Sequence, residues 1–166
     1  MIFTTAYRHA ALGELTLASD GAAIVGLWME GQKYFGSRLP RPFERRDDLP
    51  VFGDARAWLD RYFDGARPDP SELPLAPQGT AFQRRVWAIL VRIPYGALRT
   101  YADIAGQIAC EEGASCGSAR AVGAANGRNP ISVIIPCHRV VGSDGSLTGY
   151  AGGLDRKLWL LRHEGV

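Results

Sequence analysis

One stretch organises this sequence of 166 residues: Ile134-Ile135-Pro136-Cys137-His138-Arg139-Val140-Val141. The β-branched run from Val133 to Ile135 predicts a buried strand, and Pro136 would end its pairing because proline has no backbone N–H to donate. We therefore expect Cys137 and His138 where a buried strand gives way to a turn. A thiol held there can reach a pocket, and a neighbouring base would make it a nucleophile. The alternative for such a pair is a buried thiol beside a packed imidazole.

The segment Pro136-Cys137-His138-Arg139-Val140 is similar to the active-site motif of the O6-alkylguanine-DNA alkyltransferases, also called methylated-DNA–protein-cysteine methyltransferases. Further motifs of that family occur in the same order: Arg120-Ala121-Val122-Gly123, Asn129-Pro130, Gly149-Tyr150, Gly152-Gly153 and Leu160 to Gly165. The resemblance is specific and runs from about Phe82 to Val166. The first 75 or so residues resemble the N-terminal domain of the family only weakly.

The net charge of the chain is +2, and it is unevenly distributed. Residues 1–79 contain 9 Lys and Arg against 11 Asp and Glu, whereas residues 80–166 contain 10 against 6. The half that carries the Cys-His motif is thus the basic half, as expected of a domain that meets phosphates. The excess is small, so charge alone does not establish DNA binding.

The three cysteines are an odd number, and the start of the chain has no positively charged segment typical of a signal peptide. No apolar run approaches the ~18 residues that a membrane-spanning helix needs. We therefore expect a cytoplasmic, reducing location with free thiols and no membrane partner. Cys110 and Cys116 have no Cys or His neighbours at metal-ligand spacing, so no zinc site is predicted.

The first part of the chain predicts a small sheet. Three short strands are expected at residues 2–8, 14–19 and 23–29. Gly13 and Asp20-Gly21 supply the turns between them, since Asp-Gly is a strong hairpin signal. Residues 30–50 show no periodicity and are predicted to be loop. An amphipathic helix is predicted from Phe52 to about Asp64, covering one face of the sheet.

The second part predicts helices. Thr80 and Gln83 form a capping box for the first of them. Two short helices, from Thr100 to Ala109 with Thr100 as cap and from Ser118 to Gly127 with Ser118 as cap, suggest a helix-turn-helix. The small residues of the second helix are also compatible with simple packing against a neighbour. In the last helix, Asp155 is the expected cap, and the expected inward-facing residues are Leu158, Trp159 and Leu161.

The expected fold class is α/β, in the α+β sense. Residues 1–75 would form an N-terminal domain with a three-stranded sheet, a helix and a proline-rich linker. Residues 76–166 would form a mostly helical domain that contains the helix-turn-helix.

The resemblance implies roles for individual residues. Cys137 would be the nucleophile, His138 would take its proton through a water, Glu164 would orient His138, and Tyr101 would donate a proton to the departing guanine. Asn129 would tie the helix-turn-helix to the active-site segment. The residues implied to lie around the flipped base are Tyr150 in a lid with Gly152-Gly153, and Ser143 and Ala151 in the pocket, while the backbone carbonyls of Cys137 and Val140 would read the amino edge of guanine. Lys157 would either hydrogen-bond nearby or have a plain surface role.

The resemblance also implies the partner, which is double-stranded DNA containing O6-alkylguanine. Arg120 would fill the gap left by the extruded nucleotide, and the small residues of its helix would suit the minor groove. These residues are Ala121, Gly123, Ala124 and Ala125. No metal, nucleotide or redox cofactor is implied. We expect a monomer and leave cooperative assembly along DNA open.

Two other classes compete with this interpretation. An alkyltransferase-like protein would bind alkylated DNA without transferring anything, but that class replaces the motif cysteine that is present here as Cys137. A regulatory DNA-binding module would leave Cys137, His138 and Glu164 without a function. One departure from the family pattern is the 19-residue separation of Tyr101 and Arg120, which is several residues longer than in the family.

Overall fold

The computed structural model describes all 166 residues, and the chain divides into two compact units. The first unit comprises Met1–Gly79 together with Pro130–Ile134. The second comprises Thr80–Asn129 and Ile135–Val166. A short piece of chain from the second half therefore folds with the N-terminal unit. No helix in the structure is both long and apolar enough to cross a membrane.

The first unit contains a four-stranded sheet with the order β3-β2-β1-β4. Its strands are β1 (Ile2–His9), β2 (Gly13–Ser19), β3 (Ile24–Met29) and β4 (Phe43–Arg45). The three predicted strands are confirmed, but the expectation of a three-stranded sheet is wrong. The fourth strand lies within residues predicted to be loop, and it pairs parallel to β1. Three residues are too few to show a period-two pattern, so its pairing depends on β1.

Helix α1 (Pro50–Phe63) packs on the sheet and begins two residues before the predicted start. Pro50 is tolerated in the first turn because the N–H that it lacks would have no helical partner there. The helix buries an apolar stripe, whose members are Val51, Phe52, Ala55, Trp58, Leu59 and Tyr62. Phe63 lies at the edge of this stripe, where it stacks on His9 with ring centroids 4.1 Å apart.

The segment before Cys137 does not form the predicted strand. Leu27 in β3 donates its N–H to Pro130 (2.8 Å) and accepts the N–H of Ser132 (3.0 Å), but this pairing ends there. Val133 has a φ of +69°, which few β-branched residues adopt. The chain therefore turns at the very residues whose composition favours a strand. Burial accounts for this composition, because every residue from 131 to 141 is buried.

The second unit contains four helices and a two-stranded parallel sheet. The helices are α2 (Ala81–Leu90), α3 (Tyr101–Glu111), α4 (Ala119–Gly127) and α5 (Leu154–His163). The strands are β5 (Arg99–Thr100) and β6 (Val140–Val141). The predicted caps of the first three helices are confirmed, because the side chains of Thr80, Thr100 and Ser118 each accept a backbone N–H of the first turn.

Helix α5 differs from the prediction at its start and in its buried face. Its N-cap is Gly153, and Asp155 lies in the first turn and does not cap the helix. Lys157, Leu160 and Leu161 are buried. Leu158 and Trp159, which were expected to face inward, are only half-buried. The helix therefore turns an ionisable side chain towards the interior of the unit.

The turn between α3 and α4 folds back against α3. Gly113 reverses the chain with a φ of +71°, and Arg85 of α2 forms ion pairs with Glu111 (2.8 Å) and Glu112. A Cβ atom added to Gly117 would lie 2.2 Å from the carbonyl oxygen of Ala105. A cavity of about 230 Å³ lies beside this turn and is lined by residues of α2, α3 and α4, with Cys116 but not Cys137.

Candidate active site

Cys137 begins a short 3-10 turn, Cys137–Arg139, immediately before β6. Its N–H donates to the carbonyl of Ile135 at 2.8 Å, and only 4% of the residue is exposed. The carbonyl oxygen of Cys137 accepts the N–H of Val140 and also the Nδ2 of Asn126 at 3.3 Å. The backbone around the thiol is therefore fixed on both sides.

The imidazole of His138 is paired with the carboxylate of Glu164. Nε2 of His138 lies 2.6 Å from Oε2 of Glu164, and both side chains are fully buried. Nδ1 of His138 is also buried and has no hydrogen-bond partner in the protein. A carboxylate on one ring nitrogen places the N–H there and leaves the other nitrogen as an acceptor. The pair therefore has the arrangement of a base with its orienting group.

Arg139 completes this cluster, and its contribution was not predicted from the sequence. Its Nε donates to Oε1 of Glu164 (2.8 Å) and its Nη2 to Oε2 (3.1 Å). Its Nη1 donates to the carbonyl of Ile93 at 2.6 Å, and the N–H of Gly96 reaches Oε1 of Glu164 at 3.1 Å. Together with the hydrogen bond from His138, the buried carboxylate thus accepts four hydrogen bonds. The three from Arg139 and Gly96 fix its orientation towards His138.

The pKa shifts in this site follow mainly from burial. Burial raises the pKa of the Cys137 thiol, while a hydrogen bond from Asn129 and the charge of Lys157 oppose that shift. Burial lowers the pKa of His138, while Glu164 opposes that shift. Both side chains are therefore neutral at rest, and a thiolate forms only when a base takes the proton.

Lys157 is fully buried, although the sequence suggested a surface role equally well. Its Nζ donates to the carbonyl of Val140 (2.6 Å) and to the carbonyl of Thr148 (3.0 Å). Burial lowers the pKa of Lys157, and the charge of a Cys137 thiolate would raise it. The lysine therefore joins β6 to the segment that precedes Tyr150 and lies close enough to Cys137 to favour its ionised form.

Tyr101 begins α3 and contacts the same segment. Its hydroxyl donates to the carbonyl of Thr148 at 2.9 Å. Burial raises the pKa of Tyr101, a Cys137 thiolate would raise it further, and hydrogen bonds to Thr148 and Asn126 oppose the shift. The phenol is thus a protonated donor near the thiol, and Thr148 accepts from both Tyr101 and Lys157.

Two buried asparagines link α4 to the active-site segment. Asn129, which the resemblance implies to tie the helix-turn-helix to the active-site segment, donates from Nδ2 to the carbonyl of Ile135 at 2.8 Å. Asn126 makes the second link, to the carbonyl of Cys137, and was missed. The sequence offers one signal for Asn126, which is a polar residue on the inner face of a helix. Such a residue is rarely buried without a specific partner, but its position does not identify that partner.

The face of α4 predicted to meet DNA is only partly available. Arg120 and Ala124 are exposed, Ala121 is half-buried, and Gly123 lies against the ring of Tyr101. Ala125 was predicted to contact DNA, but it is buried, and its carbonyl accepts Nε1 of Trp87 at 2.9 Å. Its small size is thus explained by packing against α2.

Two family models match the chain. Residues 81–166 match the DNA-binding domain of 6-O-methylguanine DNA methyltransferase, and residues 2–77 match its ribonuclease-like domain. The methylated-DNA–protein-cysteine methyltransferase of Haemophilus influenzae is 42% identical over 161 residues, which cover 96% of this chain and 85% of that protein. That of Methanosarcina barkeri is 44% identical, covering 94% and 93%.

The chain belongs to the 6-O-methylguanine DNA methyltransferase family. A solved structure of Mycobacterium tuberculosis OGT in complex with DNA agrees, with a TM-score of 0.85 and 43% identity over 98% of this chain and 93% of that one. A structure of the O6-methylguanine methyltransferase of the same organism has a TM-score of 0.78 and 41% identity, covering 99% and 93%. The resemblance read from the sequence is therefore confirmed.

The remaining residues that the family resemblance assigned to the pocket differ in their exposure to solvent. Tyr150 and Val140 are buried, Ala151 is half-buried, and Ser143 is exposed on the turn after β6. Cys110 and Cys116 are exposed. Cys110 lies at the end of α3 and Cys116 in the turn that follows it, where the sequence departs from the family pattern. Only Cys137 among the three thiols is buried beside a histidine and a carboxylate.

Proposed function

We propose that this chain repairs DNA by direct reversal, taking the alkyl group of O6-alkylguanine onto its own Cys137 in one irreversible turnover. The observation that carries this proposal is the buried His138–Glu164 pair directly after Cys137, with Nδ1 of His138 left as an acceptor. In this resting state a neutral thiol lies next to a neutral, oriented imidazole, and the nucleophilic thiolate forms when the imidazole takes the thiol proton.

The proposed reaction is a displacement at the alkyl carbon. His138 takes the thiol proton, with a water between them, and the sulfur forms a bond to the carbon. The bond from that carbon to O6 breaks, and its electron pair stays on the guanine. Tyr101 then supplies a proton to the base. For this step, its hydroxyl must leave the carbonyl of Thr148, to which it donates in the structure.

We propose that the base reaches Cys137 by extrusion from double-stranded DNA bound through the minor groove. The exposed Arg120 and Ala124 on α4 support this role, because an arginine can fill the vacated stack and small residues fit a narrow groove. Tyr150 and the turn at Gly152-Gly153 would close over the base. Val140 and Ala151 would line its pocket, with Ser143 near the entrance.

We further propose that a monomer in the cytoplasm carries out the reaction. The first unit, Met1–Gly79 with Pro130–Ile134, would have a structural role, and the second unit would bind DNA and carry out the transfer. The oligomeric state and any cooperativity can be read from a titration of duplex DNA followed by sedimentation.

The test is incubation of the protein with duplex DNA that carries a radiolabelled methyl group on guanine O6. Transfer predicts label on the protein, at no more than one methyl per chain even with excess DNA. An alkyltransferase-like protein would bind this DNA and leave the label in place. A regulatory module would bind without preference for the lesion, and either result would overturn the proposal.

A further inference from the structure

Asn126 has one half of its amide engaged and the other half buried without a partner. The residue lies near the end of α4 and is 2% exposed. Its Nδ2 donates to the carbonyl of Cys137 at 3.3 Å. A carbonyl can only accept, so the NH₂ group must face it, and this fixes the orientation of the amide.

The oxygen of the same amide is an unsatisfied acceptor. Oδ1 of Asn126 is buried and has no hydrogen-bond partner in the protein. Buried polar atoms are nearly always paired, so an unpaired one beside a reactive group calls for a functional explanation. The free acceptor therefore points to a ligand that brings a hydrogen-bond donor.

Asn126 lies close to the reactive groups of the proposed site. The residue donates to the backbone carbonyl of Cys137 and lies near Tyr101, whose pKa its amide helps to lower against the effect of burial. One turn earlier on the same face, Gly123 lies against the ring of Tyr101. Asn126 is therefore close to both the proposed nucleophile and the proposed proton donor, the two groups that must meet the reacting base.

Each of the two backbone carbonyls in this region already has a donor. The carbonyl of Cys137, expected to read the amino edge of guanine, accepts from the N–H of Val140 and from Asn126. A carbonyl oxygen has two lone pairs, so both acceptor positions are occupied. The carbonyl of Val140 accepts Nζ of Lys157 at 2.6 Å. Oδ1 of Asn126 is the acceptor in this group with no donor.

The chemistry of the substrate supplies one matching donor. Alkylation at O6 removes the hydrogen from N1 of guanine, so the exocyclic 2-amino group carries the only N–H bonds of the base. We propose that Oδ1 of Asn126 accepts a hydrogen bond from this 2-amino group and makes Asn126 a specificity-determining residue. This inference rests on the proposed function, and it places a side-chain acceptor beside backbone carbonyls that already have donors.

The inference can be tested with two substrates that differ only in this group. Single-stranded oligonucleotides carrying O6-methylguanine or O6-methylhypoxanthine, which lacks the 2-amino group, remove any difference in base pairing. We expect the wild-type protein to transfer methyl about tenfold faster from O6-methylguanine, the usual scale for one buried hydrogen bond. Asn126→Leu should bring this ratio close to one, mainly by slowing the reaction of O6-methylguanine.

Asn129→Leu is the matched control, because it removes the other buried amide that holds the same segment. It should slow both substrates and leave their ratio unchanged. The ratio is measured within one sample, so partial unfolding does not alter it, and Asn126→Ala replaces the leucine variant if that does not fold. A wild-type ratio near one, or equal slowing of both substrates by Asn126→Leu, would overturn the inference. Absence of transfer from either base by the wild type would instead refute the proposed function.

Discussion

Arg139 holds the buried carboxylate of Glu164 with two hydrogen bonds, from Nε to Oε1 (2.8 Å) and from Nη2 to Oε2 (3.1 Å). The same carboxylate accepts from His138, so the arginine and the neutral imidazole are hydrogen-bonded to one carboxylate. This sharing places a charged pair in the interior of the unit and aligns Glu164 with the base of the proposed reaction.

Arg139→Met should strongly destabilise the protein. The substitution keeps most of the side-chain volume but leaves Glu164 buried without its cation, and removing one partner of a buried ion pair costs about 3–5 kcal/mol. Chemical denaturation would measure the loss in the free energy of unfolding. Arg85→Met is the control, since its ion pairs with Glu111 and Glu112 are on the surface and contribute little. Similar losses for the two variants would contradict the interpretation of the cluster.

The rate of transfer should be nearly independent of pH above the ordinary imidazole pKa of 6.5 and should fall only below it. Burial lowers the pKa of His138, outweighing Glu164, and Arg139 and Lys157 lower it further, so the ring stays neutral until the solution is acidic. Burial raises the pKa of Cys137, so the thiol keeps its proton until His138 takes it. Single-turnover reaction with free O6-benzylguanine across acidic to alkaline pH would measure this profile.

His138→Gln provides the contrast, because without a base the thiol must ionise into solvent. The rate of this variant should rise about tenfold per pH unit until the thiol pKa is passed. A wild-type rate with the same steep rise through neutral pH would show that His138 is not the base.

Arg120→Ala should slow transfer from duplex DNA far more than transfer from free O6-benzylguanine, because only the duplex reaction requires extrusion. Arg84→Ala is the control, since it removes an exposed arginine from α2 and should change the two rates by similar small factors. The measurement is the ratio of the two single-turnover rates for each variant. Equal losses on both substrates with Arg120→Ala would assign this arginine to the fold or to the pocket.

Gly117→Ala should destabilise the protein by about 1–3 kcal/mol, the usual cost of overpacking. The added methyl group would lie 2.2 Å from the backbone oxygen of Ala105, which cannot move without distorting α3. Gly127→Ala is the control, because its Cβ would meet nothing within 4 Å. Thermal unfolding would compare them, and equal midpoints would mean that the turn is not packed on α3.

Local signals in the sequence were sufficient for much of the fold. The caps at Thr80, Thr100 and Ser118 were predicted because a hydroxyl before an apolar stripe acts within one turn of chain. The strand expected before Cys137 was wrong for the opposite reason. Burial favours β-branched residues there, but Val133 turns the chain in a conformation that composition does not indicate.

The candidate site was predictable as a motif but not as a network. Cys137, His138 and Glu164 came from the family resemblance, and the structure brings the last two together. The contributions of Arg139 and Asn126 depend on partners reached only through folding, since Glu164 follows Arg139 by 25 residues. Ala125 was assigned to DNA because a small residue on a helix suits both a groove and a close packing contact, and only the position of Trp87 distinguishes them.

The most direct test of the central claim is to locate the transferred group. The wild-type protein is incubated with O6-methylguanine duplex DNA, digested, and analysed by peptide mass spectrometry, with Cys137→Ser as the matched variant. We predict one added methyl group, on the peptide containing Cys137, and none on any peptide of the variant, which should still bind DNA. Methylation of Cys110 or Cys116 in either protein, or continued transfer by Cys137→Ser, would contradict the account.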